Sequence, residues 1–223
     1  MTGRVVALVP ARNEVDRVGA TVRALRELAD EVVVVDDGST DGTASAALAA
    51  GATVLRLARS IGKGGALEGA LRRLPPAEVW LLADADLGAS ARELGAVLEE
   101  VRSGRADLAV ARFPPAAGGG FGLVKRAAAR AIRALAGLEV AEPLSGQRAV
   151  RAEVLAACRP LARGFGVETA MTIDAARAGF RVVEVPATLS HRPTGRSLRG
   201  FAHRARQGLD IAAAVAARAL GLR

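Results

Sequence analysis

A chain of 223 residues is the size of one domain, and an apolar fraction of 51% is enough to fill its core, which excludes a disordered polypeptide. One cysteine, Cys158, excludes an internal disulfide and a cysteine-built zinc site, and no apolar run approaches the roughly 18–20 residues that span a bilayer. The formal charge of +8 comes with 29 arginines and two lysines, Lys63 and Lys125, but aromatics make up only 3%, so the excess does not read as a nucleic-acid surface.

The opening MTGRVVALVPARNE lacks the long apolar run and cleavage site of a secretory leader, so the expected location is cytoplasmic. VVALVP (5–10) reads as a strand, followed by a helical stripe of Val15, Val18, Val22, Leu25 and Leu28. EVVVVDD (31–37) is a second strand with a helix following from Asp41, and ATVLRL (52–57) a third. GKGGALEGALRRL supplies a helix that ends before Pro75 and Pro76. VWLLAD is a fourth strand, then a helix carries Leu94, Val97, Leu98 and Val101, and DLAVAR (107–112) is a fifth strand. Strands alternating with helices predict an α/β domain with a mainly parallel sheet, and the continuous apolar runs fit strands buried on both faces.

Beyond residue 113 the pattern loosens. PPAAGGGFG (114–122) reads as a loop, an Ala/Arg helix runs to about Ala136, and EPLSGQRAV (142–150) enters a short strand. GFGVETAMTIDAARAG is a helix, RVVEVPATLS a last strand, and residues 198–221 a final helix. The expectation is one domain over 1–223, with a nucleotide-sugar half (1–112) and an acceptor half (113–223). In open parallel sheets ligands gather beyond the carboxyl ends of the strands. A strand order 3-2-1-4 would bring PARNE, DDGSTDGT and DAD to one crevice.

Each motif has a plain reading beside a functional one. In VWLLADADLGAS, five apolar residues lead straight into Asp84 and Asp86, which form either a helix-capping turn or a hard-oxygen site for a divalent cation. DDGSTDGT is rich in turn and N-cap residues. It also imitates a calcium loop, but the closing glutamate would fall at Leu48, which excludes that site. GKGGA is not a Walker A motif, because Gly64 follows Lys63 where serine or threonine is required, yet it puts a lysine at a helix start that favours anions.

Taken together, VPARNE, VVVVDDGSTDGT, GKGGALEGAL, LLADADLG and PLSGQRAVRAEVL followed by GFGVE resemble the family 2 glycosyltransferases of GT-A fold over essentially the whole chain. The pattern is similar to the soluble catalytic domain of the polyprenyl-phosphate (dolichyl-phosphate) mannosyl- and glucosyltransferases. The resemblance implies a UDP- or GDP-sugar donor and a Mg²⁺ or Mn²⁺ cofactor. It implies that Pro10, Ala11, Arg12 and Glu14 line the base and ribose pocket and that Asp37 meets the nucleoside. Lys63, Asp84 and Ala85 would lie along the nucleotide and sugar, and Asp86 would bind the metal. Two departures stand out: Gly88 replaces the polar residue usual two places after the acidic motif, and Arg12 replaces an aromatic.

The metal then needs another ligand, for which His191 in LSHRPTGRS is the candidate against an ordinary structural role; His203 is not expected to be one. Arg192 and Arg196 would neutralise the departing diphosphate as a closing loop, or else belong to a solvated basic tail. Arg112 would grip a phosphate-bearing acceptor. Glu168 is either a general base toward a hydroxyl acceptor or, for a phosphate acceptor, only a positioning group.

The expected activity is metal-dependent transfer of a sugar to a phosphorylated acceptor, polyprenyl phosphate first. The alternatives are transfer to a small acceptor such as phosphoglycerate, or a non-catalytic nucleotide-sugar-binding protein. A sugar-1-phosphate nucleotidyltransferase lacks support, since its glycine-rich basic opening is missing. The final helix mixes Phe201, Leu209, Ile211 and Val215 with Arg199, Arg204 and Arg206, which suits either peripheral docking on the anionic inner membrane face or plain packing.

Overall fold

A computed structural model describes residues 3–113, 122–190 and 198–222, with side chains described from residue 207 onward in the last of these. Val5–Ala11 (β1), Glu31–Asp36 (β2), Thr53–Arg56 (β3), Val79–Leu82 (β4), Leu108–Arg112 (β5), Arg148–Arg151 (β6) and Val182–Pro186 (β7) form one sheet in the order β3-β2-β1-β4-β6-β5-β7. The expected 3-2-1-4 half is present and parallel throughout. Only β6 runs the other way, antiparallel to both β4 and β5.

Side chains alternate across a strand, so a strand buried on both faces feeds two cores. Val5, Ala7, Val9 and Ala11 of β1 join one cluster, while Val6 and Leu8 join the other. Helices Val18–Leu25 (α1), Thr43–Ala49 (α2) and Leu94–Arg102 (α4) cover the first face. Lys63–Leu71 (α3), Ala152–Ala157 (α6) and Val167–Arg177 (α7) cover the second. Gly122–Ala136 (α5) and Leu198–Ala219 (α8) pack beside α7. The result is a single α/β domain of three layers.

Several expectations change in detail. Val15 is 40% exposed, because α1 starts only at Val18 and Val15 sits in the turn before it. The short helix α6 and the 3-10 segments Gly88–Glu93 and Gly164–Gly166 were not anticipated. In the final helix Ile211 is buried and Val215 half-buried, which fits packing, whereas Leu209 is exposed; the side chains of Arg199, Phe201, Arg204 and Arg206 lie outside the described residues. Outside the stretch that carries Arg192 and Arg196, Arg218 forms a buried ion pair with Asp174 at 2.7 Å and the exposed Arg181 pairs with Asp107 at 3.3 Å. Among the described residues no helix is long and apolar enough to cross a membrane.

Candidate active site

The register of the sheet decides which loops meet. Ala11 stands opposite Asp36 on β2, and Leu8 opposite Leu82 on β4, so PARNE, DDGST and DAD leave the sheet side by side. Hydrogen bonds then tie the loops together. Asn13, at a positive φ of 56°, accepts from Thr40 N at 2.9 Å, and its own N–H donates to Ser39 Oγ at 3.0 Å. Glu14 N donates to Thr43 Oγ1 at 2.8 Å, and the Glu14 carbonyl accepts from Val18 N to start α1. Ala11 O accepts from Asp37 N, so this backbone is already paired.

Asp37 is buried and its carboxylate organises the loop before α3. One oxygen accepts from Ile61 N at 2.7 Å, and the other from Ser60 Oγ at 2.7 Å and Gly62 N at 3.0 Å. Ser60 Oγ also accepts from Arg12 Nη1 at 3.1 Å, which leaves the exposed Arg12 guanidinium on the rim. Gly62 reaches this loop with φ of 82°, a conformation open to glycine, and α3 begins at the next residue with Lys63.

Lys63 is the centre of the site. Its ammonium lies 2.6 Å from Asp84 Oδ1 and 2.7 Å from Glu168 Oε1 at the start of α7. Burial alone would push this lysine down, but the charges of Asp84 and Glu168 and their hydrogen bonds outweigh it and hold the ammonium well above its ordinary value. Asp84 Oδ2 accepts from Gln147 Nε2 at 2.5 Å, so both of its oxygens are engaged. Gly146 permits the approach: a Cβ there would lie 2.2 Å from Lys63 Nζ and 3.1 Å from Asp84 Oδ1.

Asp86, half-exposed like Asp84, is held differently. Its main-chain carbonyl accepts from Arg17 Nη1 at 2.9 Å. Thr21, fully buried in α1, donates to Ala85 O at 2.8 Å and accepts from Gly88 N at 2.8 Å. Gly88 takes φ of 58° with open space around it, so the residue that breaks the motif's usual polar position serves the turn after DAD. The motif is a turn, pinned from α1, that presents Asp86 beside the committed Asp84.

Arg112 belongs to a second cluster. It is exposed at the end of β5 and walls a cavity of about 530 Å³ with Glu93, Phe113, Lys125, Glu142 and Thr188. Lys125 pairs with Glu142 at 2.6 Å, and Glu142 N donates to Glu184 Oε1 at 2.6 Å.

The structure thus unites Lys63, Asp84 and Glu168 directly and joins Arg12 to Asp37 through Ser60. His191, Arg192 and Arg196 lie outside the described residues, as does the side chain of His203. Thr21, Arg17, Gly146 and Gln147 were missed by sequence reasoning. Only the last two carried a signal, as part of PLSGQRAV, and nothing in the sequence links Gln147 to an aspartate 63 residues away.

A divalent cation can be tested against this donor set. Among the described residues no group of three or more histidine, cysteine or acidic side chains could hold a metal by itself. Asp84 is spent on Lys63 and Gln147. Asp86 is a hard-oxygen group on the same turn, the type that suits Mg²⁺ or Mn²⁺, ions that take most of their ligands from substrate phosphates and water.

The profile of Glycosyl transferase family 2 matches residues 6–152, which contain Asp37, Lys63, Asp84, Asp86 and Gln147 but not Glu168 at the start of α7 or the Glu184 and Thr188 positions of the second cluster. The chain belongs to glycosyl transferase family 2. An undecaprenyl-phosphate mannosyltransferase of Micrococcus luteus is 32% identical over 213 residues, covering 87% of this chain and 86% of the relative. Glycosyltransferase AglJ of Haloferax volcanii is 32% identical over 196 residues, covering 86% of this chain, which spans only 64% of AglJ. Among solved structures, glucosyl-3-phosphoglycerate synthase of Mycobacterium tuberculosis with Mg²⁺ and uridine diphosphate superposes with a TM-score of 0.83 at 27% identity. That match covers 100% of this chain and 81% of the synthase. The same enzyme with Mn²⁺, UDP-glucose and phosphoglyceric acid gives 0.82 at 26% identity, with the same coverage of both chains. The family 2 chain shares the GT-A fold of these neighbours, and its Lys63 cluster stands at the carboxyl ends of the parallel half of the sheet.

Proposed function

We propose that this family 2 chain transfers a sugar from a nucleotide-sugar to a phosphorylated acceptor, polyprenyl phosphate first. The observation that carries this reading is the commitment of Glu168 to Lys63 at 2.7 Å. A hydroxyl acceptor must lose a proton as it attacks, whereas an acceptor arriving as a phosphate dianion has none to give up. Glu168 can then remain a counter-ion. A phosphate oxygen forms the new bond to the anomeric carbon as the bond to the donor's β-phosphate breaks, and the electron pair leaves with the nucleoside diphosphate. The undecaprenyl-phosphate acceptor named for the Micrococcus luteus relative supports the same class.

In this reading residues 1–112 hold the donor and residues 113–223 serve the acceptor. Pro10, Ala11, Arg12 and Glu14 flank the nucleoside, and Asp37 shapes its pocket by holding residues 60–62. Lys63 and Asp84 orient the sugar and diphosphate beside Ala85. Asp86 would hold Mg²⁺ or Mn²⁺, with His191 as a further ligand, and the ion would supply positive charge to the diphosphate. Arg192 and Arg196 would add to that charge. Arg112 grips the acceptor phosphate at the mouth of the 530 Å³ cavity.

The size of that cavity favours a second reading, a small acceptor of the phosphoglycerate kind, as in the solved Mycobacterium tuberculosis complexes. A thermal-shift panel of UDP- and GDP-sugars, with and without Mn²⁺, identifies the donor, because a bound ligand stabilises by RT ln(1+[L]/Kd). Transfer from that donor to a short-chain polyprenyl phosphate supports the first reading. Transfer to phosphoglycerate alone replaces it with the second. Binding without transfer leaves a nucleotide-sugar-binding protein. Flotation with anionic vesicles at low salt tests peripheral docking, for which the exposed Leu209, Leu220 and Leu222 are the described apolar contacts.

A further inference from the structure

Beneath Lys63 lies a buried arginine that no role above uses. Arg148, on β6, is 1% exposed, and burial pushes its guanidinium down to about 10 against the opposing pull of Glu168. It forms none of the ion pairs found among the described residues. Its Nε donates to Ser145 O at 2.7 Å and its Nη1 to Thr172 Oγ1 at 3.0 Å, while Nη2 is buried without a hydrogen-bond partner among the described residues. A chain that needed only to fill this space would do better with an apolar side chain, since a buried charge is expensive to keep.

The connections on either side of Arg148 explain its presence. Ser145 Oγ donates to Gln147 Oε1 at 3.2 Å, which turns the other end of the amide, Nε2, to Asp84 Oδ2. Thr172 Oγ1 donates to the main-chain carbonyl of Glu168 at 3.0 Å. Lys63 joins Asp84 to Glu168 from the solvent side. The polar contacts therefore close a ring that runs Lys63, Asp84, Gln147, Ser145, Arg148, Thr172, Glu168 and back to Lys63. Its rear half is buried, with Ser145, Gln147, Arg148 and Thr172 all at 2% exposure or less. The cavity between Arg148, Gly146, Lys63 and Glu168 is only about 10 Å³, at the lower limit for one water molecule, so the ring is not a ligand pocket.

We infer that Arg148 is a positioning residue: it closes this ring from behind and sets the separation of Asp84 and Glu168 across Lys63. The role rests on the transferase reading of the Lys63 site. At Glu168 the ring passes through the main-chain carbonyl, so opening it lets the start of α7, and with it the Glu168 carboxylate, shift relative to Asp84.

The test uses the full chain and opens the ring at two places. Arg148→Met should fold, because an apolar replacement of a buried charge is tolerated, while kcat/KM for donor transfer falls about tenfold or more. Thr172→Val, nearly isosteric, should lose about fivefold. The double variant should be no worse than Arg148→Met, because coupled positions are non-additive. Arg148→Lys should recover part of the loss. A second readout does not depend on turnover. The chain has two lysines, so the ¹⁵N signal of Lys63 Nζ is assignable with Lys125→Arg, and it should move in both ring variants. Wild-type kinetics in Arg148→Met, losses that multiply in the double variant, or an unmoved Lys63 signal each overturn the inference. If Arg148→Met fails to fold, Thr172→Val and Arg148→Lys decide it by the same criteria. If the wild-type chain transfers no sugar at all, the transferase reading falls, and the Lys63 signal alone judges the ring.

Discussion

The Lys63 cluster and the Arg112 cavity have the same kinds of charge but opposite construction. Around Lys63, two acids share one largely buried ammonium, and the turn bearing Asp84 is tied by Gln147, Thr21 and Arg17. Around Arg112, Lys125 is neutralised by Glu142, Arg112 itself is exposed, and the space between is about 530 Å³. One region holds atoms at set distances, and the other leaves room. On the proposed reading, chemistry at a leaving diphosphate would use the first, because misplacement of reacting groups by about 1 Å costs some hundredfold in rate. On the proposed reading, the acceptor would use the second.

Removing the central cation breaks the comparison most severely. Lys63→Met leaves Asp84 and the buried Glu168 facing each other without a counter-ion, and should cost about 3–5 kcal/mol of stability. Chemical denaturation checks this; a variant as stable as wild type would mean that the ion pairs do not organise the region. Asp86→Ala should instead abolish metal-dependent donor binding with little change in melting temperature, since a half-exposed carboxylate is lost rather than a core group. Isothermal titration with Mn²⁺ and donor separates the two variants, and unchanged metal dependence would remove Asp86 from the site.

Gly146→Ala sharpens the contrast without removing charge. Its Cβ would sit 2.2 Å from Lys63 Nζ, so kcat should fall about tenfold or more through a shift of a fraction of an ångström. A glycine-like rate would show that the cluster yields as easily as the cavity.

The rigid region also has an acid dependence. Glu68 in α3 receives Arg159, Arg72 and the Leu161 N–H; burial raises its pKa, but these partners prevail and hold it down at about 2. Its stabilisation is therefore fully present above the ordinary value of 4.5 and is lost as the pH falls from there through about 2. The loss should be about 2–3 kcal/mol, the lower end being favoured because Arg72 is exposed. Urea titrations at several pH values should show it in the wild type and not in Glu68→Gln. The smallest structural effect is expected in the open region: Arg112→Ala should change stability by less than about 0.5 kcal/mol while raising the acceptor KM about tenfold.

Much of this was legible in one dimension. Parallel strands buried on both faces must be continuous apolar runs, and EVVVVD and VWLL are that, so the order of elements up to β5 could be read directly. The loops at their carboxyl ends announced themselves by Asp37, Lys63, Asp84 and Asp86. In the second half the signal weakened: the short strand ending PLSGQRAV could be read, but not its antiparallel direction, and a six-residue helix, AEVLAA, is too short for periodicity to declare. Val15 fits a helical stripe by spacing, and only the start of α1 at Val18 left it exposed.

What the sequence by itself determined about this protein is therefore its class, the order of its elements up to β5, and which loops carry acids. Only the tertiary structure decided how those acids are used. Asp84 and Asp86 differ by two positions, yet one is tied to Lys63 and Gln147 while the other is presented on a turn held by Thr21 and Arg17. The partners lie between 21 and 69 residues away from these acids and their turn. Local spacing carries no information about contacts at that range, because they are set by how β6 inserts beside β4 and how α1 and α3 pack on the two faces of the sheet.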